Sequence, residues 1–224
     1  MVEELSKDEV LELLEKICQD MEAARDELGE LDAKVGDGDL GITVKLGFSA
    51  VRDNLSVLGD NDIGTIFVQS GIVFNKAAAS TFGTLMATAF MEAGNAAKGL
   101  RKIKAENLAE MFSAAVNGVM QRGGAVQGEC TILDSLVPAE KAVKQCVGKE
   151  MSLKQVVAEA AKSADFGAKA TKNMMARHGR AGWLSERSRG IPDAGAVALA
   201  LMLKSFSKHL GGLSLRCYGL DKRE

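Results

Sequence analysis

The chain has 224 residues and a formal net charge of −2, with 28 Lys and Arg against 30 Asp and Glu. That length suits one domain or two small ones, and a hydrophobic content of 46% supplies a sizeable core. The near-neutral balance gives no basic footprint for nucleic acid, and no apolar run of about 18 residues exists to span a membrane.

Only two prolines occur, Pro138 and Pro192, and aromatics are few, whereas Ala, Leu, Lys, Glu and Met are plentiful. This composition favours helices. No alternating run of Val, Ile, Thr and aromatics argues for a strand. The acidic, amphipathic N-terminus lacks the basic start and apolar run of a signal peptide, so a soluble cytoplasmic protein is expected. Cys18, Cys130, Cys146 and Cys217 are scattered with no CxxC pair, so they read as buried reduced thiols rather than a disulfide framework or a zinc site.

In chain order, Ser6 and Glu9 form a capping-box pattern. Val10, Leu13, Leu14, Ile17, Met21 and Leu28 then fall on one helical face, with Gly29 placed to stop the helix. A loop over 30–42 follows. Further helices are predicted over 43–58, 63–76, 81–98, 104–122, 131–147, 151–173 and 193–209. Eight helices with short connections, no linker and no repeat predict an all-α chain: a single antiparallel, up-down domain over residues 1–224. Three glycine-rich interruptions, 30–42, 123–134 and 179–195, each precede a helix. Helix N-termini offer unpaired N–H groups and a positive dipole end, which suits phosphate.

The first interruption carries Asp32, Gly36, Asp37, Gly38, Asp39 and Gly41. Three short carboxylates so close together repel one another unless a cation sits between them. Mg²⁺ prefers oxygen ligands and shares them between carboxylates and substrate phosphates. The bland alternative is an exposed acidic turn. GDGDLG matches G-x-G-x-x-G literally, but it follows a helix rather than a strand, and its acids oppose a bare pyrophosphate. An EF-hand fails because the twelfth position from Asp37 is Phe48. The second interruption holds Gly123, Gly128, Glu129, Cys130, Thr131 and Asp134. The third holds Arg180, Trp183, Arg187, Arg189 and Asp193. Arginines can grip phosphate oxygens, although such residues are more often solvated surface charges. His178 and His209 read as surface histidines at helix ends. Trp183 reads equally as an adenine lid and as a loop anchor.

LDAKVGDGDLG, AAASTFGTLMATAF, GECTILDSLVPA and GRAGWLSERSRGIPDAGA together resemble the L subunit of dihydroxyacetone kinase, the DAK2-type nucleotide domain, over nearly the whole chain. The resemblance implies an eight-helix antiparallel barrel whose pocket at one end holds ADP or ATP through two Mg²⁺ ions. By it, Asp32, Asp37 and Asp39 are the metal ligands and the catalytic set. Ala78, Ala79, Ser80 and Thr81 line the phosphates. Thr131 and Leu133 lie beside the adenine and ribose, Gly128 also belongs to the nucleotide-binding set, Arg180 reaches the phosphates, and Asp193 closes the site.

The chain departs from the family pattern at three places. Leu40 stands where GDGDHG has histidine, the stretch from Lys76 to Ser80 stands near the usual GGASG, and Glu129-Cys130 stands in the usual GDKT. The implied activity is phosphate transfer to a small ketose or polyol held on a partner K subunit, with a phosphocarrier protein as a further partner if bound ADP is rephosphorylated. A homodimer stays open. The alternatives are a nucleotide-sensing regulatory module and an interaction-only helical bundle.

Overall fold

A computed structural model of the chain describes residues 4–178 and 189–216. Nine α-helices lie among them: α1 (Lys7–Ala23), α2 (Arg25–Asp32), α3 (Leu40–Leu58), α4 (Ile63–Ala77), α5 (Thr81–Ala96), α6 (Ala105–Gly123), α7 (Leu133–Val147), α8 (Leu153–Ala170) and α9 (Ala194–Arg216). The all-α expectation holds. Strand pairing among the described residues is one two-residue antiparallel bridge, Leu5–Ser6 with Lys102–Ile103. No described helix is long and apolar enough to cross a membrane.

Local chemistry explains most boundaries. Ser6 accepts from the Glu9 N–H while Glu9 accepts from the Ser6 N–H, which closes the capping box that starts α1. Ser152 and Gln155 do the same for α8. Asp62 Oδ1 accepts the Thr65 N–H at 3.1 Å at the start of α4, and Gly124 ends α6 in the left-handed region at φ 66°.

Two boundaries differ from expectation. The first helix breaks at Ala24, not at Gly29, which lies inside α2. Gly29 belongs instead to a close crossing. A Cβ on Gly41 would sit 2.0 Å from the Arg25 carbonyl oxygen and 2.9 Å from the Gly29 nitrogen, so small residues let α2 and the first turn of α3 touch. The helix expected over 151–173 tightens into a 3₁₀ turn at Thr171–Asn173.

The helices pack in sequence order around a closed ring. α1 contacts α3, each helix from α3 to α8 contacts the next, α8 contacts α9, and α9 returns to α1, with α2 folded against α3. Their inward faces merge into one buried cluster that runs from Leu5 and Val10 through Phe48, Phe74, Met86, Leu136 and Val156 to Leu199 and Leu210. Phe48, Phe74 and Phe90 meet edge-on or tilted, with centroids 5.2–6.3 Å apart. A Cβ on Gly47 would lie 2.4 Å from the Phe74 ring, so the missing side chain makes room for the aromatic group.

His209 corrects another expectation. It lies within α9, not at its end, and its Nε2 stands 2.9 Å from Asp20 Oδ2 on α1. Ser205 Oγ donates to the same oxygen at 2.9 Å. These contacts stitch the last helix of the ring to the first.

Candidate functional site

The connections α2–α3, α4–α5 and α6–α7 and the described parts of α8–α9 come together at one end of the ring, joined by Thr43 with Ser80, Cys130 with Thr171, and Asp193 with Thr171, Asp134 and Asp32. The first is built on Asp32, the last residue of α2. Its carbonyl accepts the N–H groups of Val35 at 3.0 Å and Gly36 at 2.6 Å, which curls the chain back. Gly38 sits at φ +75°, a conformation glycine adopts without strain. The Leu40 N–H then donates to Asp32 Oδ2 at 3.4 Å as α3 begins.

The result brings one carboxylate oxygen each from Asp32, Asp37 and Asp39 within 4.8 Å of one another. Burial raises the Asp32 carboxyl above its ordinary value, and the negative charges of Asp37 and Asp39 push in the same direction. Asp32 and Asp39 are partly withdrawn from water and Asp37 is exposed; three hard, mutually repelling oxygen donors so placed fit a divalent cation such as Mg²⁺. Leu40 turns into the core at 6% exposure, so the residue standing at the family's usual histidine packs inward.

The α4–α5 connection abuts the first turn of α3. Thr43 Oγ1 lies 3.3 Å from Ser80 Oγ, and Ser80 Oγ accepts the Gly83 N–H at 3.0 Å as the cap of α5. A Cβ on Gly83 would lie 1.9 Å from the Ala78 carbonyl oxygen, so the turn closes only with glycine there. Ala78 is buried in the core cluster, while Ala79 and Thr81 face solvent.

The α6–α7 connection folds around Asp134, whose role is not evident from the sequence. Asp134 Oδ1 accepts the Gly128 N–H at 2.6 Å and Oδ2 accepts the Thr131 N–H at 2.8 Å. The Thr131-x-x-Asp134 spacing is itself a capping signal. Cys130 adopts φ 60°, unusual for a residue with a side chain, and its Sγ donates to the Thr171 carbonyl at 3.7 Å. Burial pushes this thiol up to about 12, so it stays protonated. Cys18 and Cys146 are buried and reduced as well. Glu129 Oε2 accepts the Val126 N–H at 3.0 Å and stands 2.7 Å from His178 Nε2. Leu133 is 1% exposed and belongs to the core, whereas Gly128 faces solvent and Thr131 is half-buried.

Thr171, fully buried, ties the fourth connection to the third. Its Oγ1 accepts the Asp193 N–H at 2.8 Å. Asp193 Oδ2 in turn accepts the Ala196 N–H at 2.7 Å and caps α9. Burial raises the Asp193 carboxyl to about 7, with the charges of Asp134 and Asp32 adding to the effect. Asp193 thus joins the first, third and fourth connections electrostatically. Arg180, Trp183 and Arg187 lie outside the described residues. Arg189 is exposed, with Nη2 3.9 Å from Met175 Sδ.

Residues 34–208 match the model of the DAK2 domain. The chain belongs to the DAK2 domain family. It is similar to the ADP-binding subunit DhaL of the PEP-dependent dihydroxyacetone kinase of Escherichia coli, with 32% identity over 89% of this chain and 95% of that subunit. It is also similar to the L-erythrulose 1-kinase of Mycolicibacterium smegmatis, with 30% identity over 90% of this chain but only 35% of that enzyme. Among solved structures, the dihydroxyacetone kinase of C. freundii in complex with AMP-PNP and Mg²⁺ shares the fold, with a TM-score of 0.69 and 23% identity over 93% of this DAK2 chain and 35% of that one. The family resemblance read from the sequence motifs is therefore upheld.

Proposed function

We propose that this DAK2 chain is a single nucleotide-binding domain over residues 1–224 and serves as the phosphotransferase subunit of a dihydroxyacetone-type kinase. It holds Mg-ADP or Mg-ATP and works on a small ketose or polyol bound to a partner K subunit. The observation that carries this is the convergence of Asp32, Asp37 and Asp39 within 4.8 Å beside three connections that end at helix N-termini. A relative of which the chain covers 95% is named as an ADP-binding subunit, which supports the nucleotide-holding role.

Asp32, Asp37 and Asp39 would hold the cation, which offsets phosphate charge during transfer. The opening turns of α3, α5 and α7 direct backbone N–H groups towards an anion. Ala79, Ser80 and Thr81 lie at the start of α5, beside the phosphates, with Ala78 beneath them in the core. Gly128 and Thr131 offer the nucleoside a surface whose floor is Leu133. Asp193 holds the start of α9 against that surface, and Arg180 supplies phosphate-directed charge. Because the site is an open end, catalysis rests on bringing donor and acceptor into line rather than on a nucleophile of this chain. A phosphocarrier protein would serve if bound ADP is recharged in place. The residues present fit Mg²⁺ chemistry, which disfavours an interaction-only bundle.

The test is reconstitution with purified components: this chain, a K-type subunit, dihydroxyacetone or a tetrose, and Mg-ATP, with coupled detection of the sugar phosphate. Product is expected only when both chains are present. Robust product from this chain alone would overturn the subunit reading, and none with any K-type partner would overturn the transferase reading.

A further inference from the structure

Asp134 is a buried carboxylate, 1% exposed, in the first turn of α7. Burying such a group costs free energy unless its oxygens are satisfied. Here the hydrogen bonds to its oxygens come from two backbone N–H groups on the strained α6–α7 connection. Thr131 N–H, three residues back at 2.8 Å, lies within the reach of ordinary helix capping. Gly128 N–H, six residues back at 2.6 Å, lies beyond it. Between those two points the chain passes through Gly128 at φ 100° and Cys130 at φ 60°, a shape that persists only where the surroundings over-determine it. The α8 backbone also passes close to this residue, since a Cβ on Gly167 would lie 1.9 Å from the Asp134 carbonyl oxygen.

We propose that Asp134 is a positioning residue that moulds the Gly128–Thr131 segment into the surface receiving the nucleoside. The inference rests on the functional reading above, which puts Gly128 and Thr131 beside the nucleotide. Asp134 acts through the loop and not by contact with the ligand. Its two carboxylate oxygens fix two N–H groups, so the outward face of residues 128–131 is set before the nucleotide arrives. Such preorganisation lowers the ordering cost of binding. An amide in its place keeps one acceptor and aims an NH₂ donor at the other N–H.

The experiment compares the full chain with its Asp134→Asn and Gly128→Ala variants, using Mg-ADP as the titrant and segment-resolved hydrogen exchange as the second readout. Asp62→Ala, at the α3–α4 connection away from the aspartate cluster, serves as a destabilised control. Asp134→Asn is expected to raise the Mg-ADP dissociation constant about tenfold or more and to quicken exchange across residues 126–132 while the other helices keep their protection. Gly128→Ala, which strains the same loop but leaves the carboxylate in place, is expected to weaken binding comparably and keeps the test open should Asp134→Asn not fold. Asp62→Ala should bind within about twofold of the unsubstituted chain.

Unchanged affinity in either loop variant would overturn the inference. So would an affinity loss in the control that matches theirs, because that would reduce Asp134 to general stability. Failure of the unsubstituted chain to bind Mg-ADP would instead sink the nucleotide-binding reading on which the inference stands.

Discussion

Thr171 Oγ1 accepts the Asp193 N–H at 2.8 Å across 22 residues of sequence, and both side chains sit where the α6–α7 and α8–α9 connections meet. Thr171→Val keeps the volume and removes the acceptor, leaving a partly buried N–H without a partner. A loss of about 1–3 kcal/mol is expected, a melting shift of several degrees for a chain of this size. Calorimetric melting of the two proteins checks it. An unchanged melting temperature would show that water or a neighbour replaces the hydroxyl.

The aspartate cluster should be a liability without its cation. In EDTA, Asp32→Asn removes one of three mutually repelling charges, so the variant should melt at or above the temperature of the unsubstituted chain. With Mg-ADP the order should reverse. A ligand at about 100 times its dissociation constant adds roughly 2.7 kcal/mol to a folded state that alone binds it, and the variant should forfeit much of that through affinity about tenfold weaker or more. Thermal scans under both conditions measure the crossing. The same melting order under both conditions would mean that the three acids do not share a cation.

Asp193 gives a pH signature whose sign follows from its raised value. Its folded-state carboxyl, at about 7, holds a proton that the unfolded chain releases near pH 4. Its contribution to stability is therefore complete below about pH 4 and is lost as pH rises through about 7. Asp193→Asn keeps the acceptor for the Ala196 N–H and cannot ionise. In EDTA the variant should match the parent near pH 4 and become progressively more stable than it towards pH 7.5. Parallel melting curves across that range would show that Asp193 is ionised throughout.

Asp62 offers the opposite sign at the α3–α4 connection. Oδ2 accepts from Thr65 Oγ1 at 2.7 Å and Oδ1 accepts the Gly99 N–H at 2.9 Å, and these bonds hold its carboxyl down at about 2. Its stabilising contribution is present above about pH 4 and fades as pH falls towards 2. Asp62→Ala should cost about 1–2 kcal/mol near neutral pH and progressively less in acid. Denaturant titrations at pH 7 and pH 2.5 test the difference. Equal costs at both would remove the charge from the explanation.

Much of the fold is legible in the sequence because short-range signals mark it. Ser6 with Glu9 starts α1, and glycine follows α6 at position 124. What the sequence hides is long-range. Gly29 resembles a helix stop, but the glycines at this point serve the crossing of α2 with α3, and only the approach of Arg25 to Gly41 reveals it. His209 looks terminal until α9 is seen to run on to Arg216 and Asp20 is seen opposite. At the site, Asp32, Asp37 and Asp39 are visible because they crowd one short loop. Thr171 works through a backbone N–H 22 residues away, which no local pattern gives, whereas Asp134 works within its own loop, where only the Thr131-x-x-Asp134 spacing hints at a cap and the reach to Gly128 stays hidden. Leu133, placed beside the nucleotide by resemblance, is 1% exposed in the first turn of α7, a depth that no local sequence pattern gives.

The most direct test is a calorimetric titration of ADP into this chain, once with excess Mg²⁺ and once with EDTA. Three carboxylates facing an anionic ligand should permit binding only when the cation is present. Saturable heat with Mg²⁺ and none in EDTA is the predicted result. Equal affinity in both, or no binding with Mg²⁺, would contradict the account.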